Sequence, residues 1–162
     1  MAADTNEKDR MMTNPALADL APLVGEWRME VYGAAFLPDL DTRVTGSVEL
    51  DWIENGAAVV MRQGAGEGPP TAVWIIGRDD RDANYQVLYA DDRGVSRSYE
   101  MSLAGRDWQM WRTTPEFSQR YEGVIESDGR TISGVWKKSF DGGATWEHDF
   151  NVDYVRPRVG EG

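Results

Sequence analysis

Two residue types in this sequence have the chemistry to bind a charged ligand or to move a proton. His148 is the only histidine of the chain, and it lies in a segment, 146–154, in which large and acidic residues alternate. The alternation predicts a strand whose inner face carries Trp146, His148, Phe150, Val152 and Tyr154. An inward imidazole acts as a hydrogen-bonded cavity residue or as a general acid or base. One histidine without cysteine makes a poor zinc site, so we expect no metal.

Arginine is the second residue type. Tight turns on both sides of the predicted strand 95–103 place Arg97 and Arg112 on the inner face. Two buried guanidinium groups without a counter-ion are unfavourable. They predict either an internal acid or an anionic ligand held by bidentate hydrogen bonds. The alternatives are a register shifted by one residue, or side chains that extend to solvent.

The candidate ligand-binding residues are the inner-face side chains around these groups. They are Met61, Gln63, Tyr89, Arg97, Tyr99, Trp108, Met110, Arg112, Tyr121, Trp136, His148 and Phe150. Apolar and aromatic walls with a few polar groups are typical of small-molecule pockets. No pair of carboxylates suits glycoside hydrolysis, because the acidic residues fall mainly in turns and on predicted outer faces.

One further motif, "SFDGGATW" at 139–146, resembles the Asp-box of sialidases. In that repeat the aspartate bonds to nearby backbone within a hairpin turn, once per propeller blade. A single copy cannot make a propeller, so we interpret it as a turn.

Composition excludes several classes of partner. The 28 acidic and 17 basic residues give a net charge of −11, which disfavours nucleic acid and anionic membrane surfaces. The absence of cysteine removes disulfides and thiolate chemistry. The polar N-terminus has no apolar core typical of a signal peptide or membrane span, so we expect a cytoplasmic protein, either a monomer or a homodimer.

Turn signals fix which residues share a face. Asn55-Gly56 is typical of a two-residue type I′ turn, and Asp128-Gly129 predicts a second hairpin. A three-residue loop at 92–94 and a two-residue loop at 105–106 predict two more hairpins. The turns predict the cross-strand pairs Trp52–Val59, Leu50–Met61, Val48–Gln63, Tyr89–Arg97, Leu103–Trp108, Met101–Met110, Tyr99–Arg112, Ile125–Ile132, Gly123–Gly134 and Tyr121–Trp136. Each hairpin therefore has an apolar face and a face exposed to solvent.

The pattern as a whole predicts an all-β protein of about ten short strands. They span 25–33, 43–53, 57–65, 71–78, 85–91, 95–103, 107–113, 118–126, 131–139 and 145–156. Sequential antiparallel strands with one buried face suit a closed up-and-down barrel. A short helix precedes them, with Asn14 as N-cap and Pro15 at its first position. We expect one domain over 15–158, with a flexible leader, 1–14, and tail, 159–162.

The first and last strands carry a familiar combination. A Gly-x-Trp at Gly25 and Trp27 after a short helix, with Arg156 at the end of the last strand, resembles the signature of the calycin superfamily. In lipocalins and fatty-acid-binding proteins the Trp packs across the closed end and the Arg covers its ring. The resemblance implies the same structural role here, with Arg158 as the alternative to Arg156.

A wider pattern strengthens this resemblance. The segments "LVGEW", "WIENG", "IIGRD", "YADDRG", "FDGGATW" and "YVR" together resemble a bacterial family of lipocalin-like domains of unknown function. The chain also resembles nitrobindins, ten-stranded calycins that hold haem through a histidine of a C-terminal strand, here His148. Its "GEWRMEVYG" opening departs from the glycine-rich opening of nitrobindins, so we expect no cofactor and keep haem as an alternative.

Three functions follow. The first is binding of a small apolar or amphipathic molecule, with a carboxylate, inside the barrel. The second is a cyclase, isomerase or lyase that uses the same cavity, with His148 as acid or base and an arginine stabilising an anion. The third is haem binding through His148.

Overall fold

The structure of the protein, a computed structural model, describes residues 13–64 and 70–158. Within these ranges ten antiparallel strands close a barrel in which each strand pairs with its sequence neighbours and β1 pairs with β10. The strands are β1 Gly25–Tyr32, β2 Val44–Ile53, β3 Ala58–Gln63, β4 Ala72–Gly77, β5 Tyr85–Asp91, β6 Ser96–Ala104, β7 Asp107–Arg112, β8 Ser118–Ile125, β9 Thr131–Ser139 and β10 Glu147–Val155. The predicted fold class is confirmed.

The segment before β1 forms a 3₁₀ helix, Pro15–Leu23, capped by the Asn14 side chain, which accepts a hydrogen bond from the Ala16 N–H (3.1 Å). Its leucines recur every third residue, which is the repeat of a 3₁₀ helix. Leu17, Leu20 and Leu23 are therefore all buried, and they belong to the core inside the barrel. The helix fills one end of the barrel, called here the closed end.

The start of the described chain is attached to the same end. The N–H groups of Thr13 and Asn14 donate to the carbonyls of Asn55 (2.7 Å) and Gly56 (3.1 Å) in the β2–β3 turn. These are the last two residues of the leader predicted at 1–14. Residues 1–12 and the predicted tail, 159–162, lie outside the described residues.

The register predicted from the turns is confirmed, except that the pairing of β6 with β7 stops at Glu100 and Trp111, so Tyr99 and Arg112 are not strand partners. The observed partners include Leu50 with Met61, Tyr89 with Arg97 and Tyr121 with Trp136. One turn differs from its prediction: Glu54 has a positive φ as well as Asn55 and Gly56, and the Ala57 N–H donates to the carbonyl of Ile53. The connection is therefore longer than a two-residue type I′ turn, although it leaves the strand pairing unchanged.

The opposite, open end of the barrel carries the loops before β2, β4, β6, β8 and β10. Because strands alternate in direction, a residue's place along its strand sets its depth: Arg97 is the second residue of β6, near the open end, whereas Tyr154 is the last but one residue of β10, near the closed end. No helix in the described ranges has the length and apolar character needed to cross a bilayer.

The "SFDGGATW" segment is a hairpin turn between β9 and β10. One oxygen of the Asp141 carboxylate accepts hydrogen bonds from the Ser139 hydroxyl (2.7 Å) and the Thr145 N–H (2.9 Å). The Gly143 N–H donates to the Ser139 hydroxyl (2.9 Å). The hydrogen bonds from Thr145, followed by that from Ser139, lower the pKa of Asp141 to about 2.

This turn gives a pH-dependent prediction. A carboxyl whose folded-state pKa is depressed stabilises the fold above its unfolded-state pKa, near 3.8, and that stabilisation is lost as the pH falls toward about 2. We expect Asp141→Asn to lower the urea midpoint at neutral pH by a small amount that shrinks below about pH 4. Asp19→Asn, at an exposed helix position, is the control. A deficit that is constant down to pH 3 would contradict the assigned role of the ionised carboxylate.

Candidate functional site

The open end of the barrel leads into a cavity of about 650 Å³. Aromatic rings form much of its wall: Trp74 lies 4.5 Å from Tyr89, 5.6 Å from Tyr99 and 6.3 Å from Trp136, measured between ring centroids. The volume lies within the range of about 300–1,000 Å³ found for small-molecule sites. The remaining lining residues are Met29, Val31, Phe36, Val44, Gln63, Pro70, Arg93, Arg97, Phe117, Gln119, Asp149, Phe150 and Tyr154.

A polar cluster lies on one wall near the open end. The side-chain oxygen of Gln119 accepts hydrogen bonds from the Arg97 guanidinium (3.0 Å) and the Tyr99 hydroxyl (2.7 Å). The Arg97 guanidinium also lies 5.4 Å from the centre of the Phe117 ring. Burial raises the pKa of Tyr99 despite the opposing effect of the nearby arginines, so this hydroxyl stays protonated at neutral pH.

Arg93, the second arginine that lines the cavity, is neutralised. Its guanidinium donates two hydrogen bonds to one oxygen of Asp91 (2.7 and 3.0 Å), whose side chain is fully buried. The Tyr89 hydroxyl donates to the same oxygen (2.6 Å). The hydrogen bonds from Arg93 hold the pKa of Asp91 well below its usual range, whereas burial and the hydrogen bond to Asp91 raise the pKa of Tyr89.

Lys138 is neutralised in a similar way. Its ammonium lies 3.5 Å from a carboxylate oxygen of Asp149, a residue of the cavity wall. Arg97, in contrast, forms no ion pair with any carboxylate of residues 13–64 and 70–158, and its hydrogen-bonding partner there is the neutral Gln119. Arg97 is therefore the cation of this wall whose charge the described protein leaves uncompensated.

No protein-family model and no curated protein matches this chain. Among solved structures, it is similar to the crystal structure of Rv2717c from M. tuberculosis, with 15% sequence identity and a TM-score of 0.58. The alignment covers 90% of this chain and 99% of Rv2717c. At this identity the likeness shows the fold alone. The closed barrel fits a calycin-like architecture, and membership of the lipocalin-like family stays a prediction.

The candidate residues fall into three groups. Six of them line the cavity: Gln63, Tyr89, Arg97, Tyr99, Trp136 and Phe150. Four others face inward but are buried in the core outside the cavity wall: Met61, Trp108, Met110 and Tyr121. The sequence predicts which face of a strand is inner, but the depth at which the interior opens into a cavity depends on how far the N-terminal helix and its leucines fill the barrel.

Arg112 and His148 form the third group, since neither lines the cavity. Arg112 is half-buried at the end of β7, opposite Gln119, and its charge reaches Tyr99 strongly enough to oppose the rise in the pKa of that hydroxyl. The anion-binding role predicted jointly for Arg97 and Arg112 is therefore supported by cavity geometry for Arg97 only.

The predicted inward position of His148 is wrong. A β-bulge interrupts β10 at Asp149: His148 pairs with Lys137, but Phe150 already pairs with Trp136. The extra residue reverses the alternation, so Phe150 and Tyr154 face inward and His148 faces outward. His148 is exposed, and its Nε2 lies 2.8 Å from the Asn151 side-chain oxygen.

Trp146 was also expected on the inner face. It lies instead on the outer face, where the Arg120 guanidinium is 4.5 Å from the centre of its ring. The same bulge explains both displacements, because both residues precede Asp149.

The position of His148 bears on two of the predicted functions. Since the chain has one histidine, and it is on the outer surface, the cavity wall offers no imidazole for proton transfer. A haem held inside the cavity through His148 likewise does not fit the residues present.

Several lining residues were missed for identifiable reasons. Trp74 lies in the apolar run "AVWIIG", whose lack of alternation does not indicate which face of β4 is the inner one. Gln119 lies two residues before Tyr121, so extending the alternation of β8 would have placed it on the inner face. Phe36 and Phe117 lie in loops, where strand periodicity carries no information.

Proposed function

We propose that the protein binds a small amphipathic molecule with an anionic group, most simply a carboxylate, inside the barrel. The observation that carries the proposal is the charge of Arg97 on the cavity wall, hydrogen-bonded to a neutral side chain while Arg93 and Lys138 have carboxylate partners. A ligand carboxylate would provide the missing counter-charge, with the Arg97 guanidinium donating to it.

The rest of the wall suits the apolar body of such a ligand. Trp74, Tyr99 and Trp136 present ring faces and edges next to the polar cluster, and the aliphatic side chains of Met29, Val31 and Val44 line the other part of the wall. Burial of an apolar chain against these surfaces is favourable by about 25 cal/mol per Å². The proposal thus assigns affinity to the apolar wall and orientation to Arg97.

The net charge of −11 does not exclude an anionic ligand. Exposed charges more than a Debye length away, about 8 Å at physiological salt, are largely screened. Arg97 would contact the ligand directly within a low-dielectric cavity, where the interaction is much stronger than in water. The field of the whole protein therefore affects the rate of association more than the affinity.

The first test compares a fatty acid with the matching fatty alcohol. We expect the wild type to bind the acid at least about tenfold more tightly, because a hydrogen bond to a charged group is worth about 1.5–3 kcal/mol. Arg97→Met removes the charge while keeping much of the side-chain volume, so it should abolish this preference. Displacement of a fluorescent fatty-acid probe gives all four affinities and a coupling free energy.

Arg62→Met provides the matched control, because Arg62 is exposed on the outer face of β3. It should leave the preference for the acid unchanged, and thermal unfolding should show that both variants are folded. Equal binding of acid and alcohol by the wild type would refute the anionic-ligand proposal. A preference that survives Arg97→Met but disappears in Arg112→Met would move the anion site to the residue outside the cavity wall.

A further inference from the structure

Tyr154 is a buried polar residue at the deep end of the cavity. Its side chain lines the cavity wall and is only 2% exposed, and its hydroxyl makes no hydrogen bond to residues 13–64 or 70–158, although it is not fully enclosed. The ring of the neighbouring Tyr121 lies 6.4 Å from that of Tyr154, measured between centroids. The Tyr121 hydroxyl, in contrast, has a partner, because it donates to the carbonyl of Val152 (3.2 Å). Because the Tyr154 hydroxyl is neither paired nor fully enclosed, and Tyr154 lines the cavity, this hydroxyl is open to a hydrogen-bonding group inside the cavity.

A second unpaired donor belongs to the same aromatic cluster. The indole N–H of Trp108 is buried without a hydrogen-bond partner among the described residues, and the Trp108 ring lies 5.6 Å from that of Tyr154. Trp108 itself does not line the cavity. Of these two groups, the Tyr154 hydroxyl is the one on a residue that a ligand in the cavity can touch.

The two polar sites lie at different depths. The strand between them, β9, gives the measure of depth. Gln119 of β8 pairs with Lys138 of β9, and Tyr154 of β10 pairs with Ile132 of β9. These β9 positions are six residues apart, which corresponds to about 20 Å along a strand. Apolar side chains, including Trp136 and Phe150, line the cavity between them. The cavity is therefore polar near its mouth, apolar in the middle and polar again at one deep position.

Tyr154 is suited to a neutral hydrogen bond. Burial raises its pKa, so the hydroxyl stays protonated at neutral pH and can both donate and accept. No basic residue is paired with it in the described structure, in contrast to Arg97 near the mouth. A second anionic group on the ligand would be unfavourable at this depth, whereas a hydroxyl or carbonyl group would find a partner.

We propose that the ligand is an amphipathic acid with a second, uncharged hydrogen-bonding group at its far end, which the Tyr154 hydroxyl binds. The inference rests on the proposed function, because Arg97 must hold the acid group for the far end to reach Tyr154. It narrows the ligand class from simple fatty acids to acids that carry a terminal hydroxyl or carbonyl group.

The test uses two series of unbranched acids of increasing chain length, one methyl-terminated and one ω-hydroxylated. For the wild type, we expect the ratio of the dissociation constants of the ω-hydroxylated and methyl-terminated acids to be lowest at one particular chain length. At that length, Tyr154→Phe should change the ratio of the two dissociation constants by about threefold to tenfold in favour of the methyl-terminated acid. Displacement of a fluorescent fatty-acid probe from the full chain measures each affinity.

Tyr85→Phe is the matched control, because Tyr85 is buried inside the barrel but does not line the cavity. It should leave the ratio unchanged. Binding of both series with a ratio that Tyr154→Phe does not alter would overturn this inference and leave the Arg97 proposal standing. Failure of the wild type to bind any acid would overturn both.

Discussion

Replacing Trp27 with alanine is expected to lower the free energy of unfolding by about 3–5 kcal/mol, the usual effect of removing a large buried aromatic side chain. Trp27 is 2% exposed at the closed end, and its indole N–H donates to the carbonyl of Leu23 (2.8 Å), the last residue of the 3₁₀ helix. The substitution therefore removes both packing and a link between helix and barrel. Urea unfolding followed by circular dichroism measures the change.

Arg156 adds to this effect because it covers the Trp27 ring, with its guanidinium 3.7 Å from the ring centre. The guanidinium also donates to the carbonyls of Pro22 (3.0 Å), Val24 (2.8 Å) and Glu26 (3.2 Å), where the helix leads into β1. A side chain at Gly25 would overlap the same guanidinium. The Gly-x-Trp pattern thus has a physical cause: the glycine leaves room for the arginine that stacks on the tryptophan.

A double-mutant cycle separates packing from the cation–π contact. Trp27→Leu combined with Arg156→Met should show a coupling of about 0.5–2 kcal/mol. Trp111→Ala, on the outer face of β7 and half-buried, should destabilise much less than Trp27→Ala. Ligand affinity should change little in the folded Trp27 variants, because Trp27 does not line the cavity. An unfolding midpoint of Trp27→Ala equal to that of the wild type would contradict the closing role.

The sequence was sufficient to predict the barrel because turns and alternation are local signals. Every predicted strand agrees with the structure to within two residues at each end. The register follows from turn length, so the sequence alone places Gln63 and Tyr89 correctly on the inner face. It places Arg97 there in the same way, and the proposed anion site depends on that position.

The position of His148 could not be obtained in this way. The segment Trp146 to Tyr154 alternates without interruption, and a β-bulge inserts one residue without any change in composition. Pairing with the neighbouring strand decides the matter: His148 pairs with Lys137 and Phe150 pairs with Trp136, which leaves Asp149 as the bulged residue. The bulge matters for function, because an imidazole in the cavity would support acid–base catalysis and an imidazole on the outer face does not.

Hairpin pairing also predicted that Gly123 and Gly134 lie opposite each other, and the structure shows why two glycines occupy this place. The ring of Tyr121 lies over both of them: a Cβ on Gly123 would be 2.7 Å from a Tyr121 ring carbon, and a Cβ on Gly134 would overlap the Tyr121 hydroxyl and ring. Tyr121 is fully buried, and its ring is 5.3 Å from the rings of Trp108 and Trp136. The packed tryptophan rings therefore oppose any displacement of the Tyr121 ring.

Gly134→Ala is expected to destabilise the protein by about 3 kcal/mol, at the upper end of the range for overpacked cores. Gly77→Ala is the control, because a Cβ on Gly77 in β4 meets no atom within 4 Å, so this change should be close to neutral. In a Tyr121→Leu background the effect of Gly134→Ala should be much smaller, since the ring that the new methyl group strikes is gone. Additive effects of the two substitutions would show that the tyrosine is not the obstacle.

Because the Tyr121 ring lies between Trp136 of the cavity wall and Trp108 beside Tyr154, displacement of this ring in Gly134→Ala should also weaken ligand binding at the deep end of the cavity. The affinity for ω-hydroxylated acids should then fall in Gly134→Ala, while the preference for acid over alcohol set by Arg97 persists.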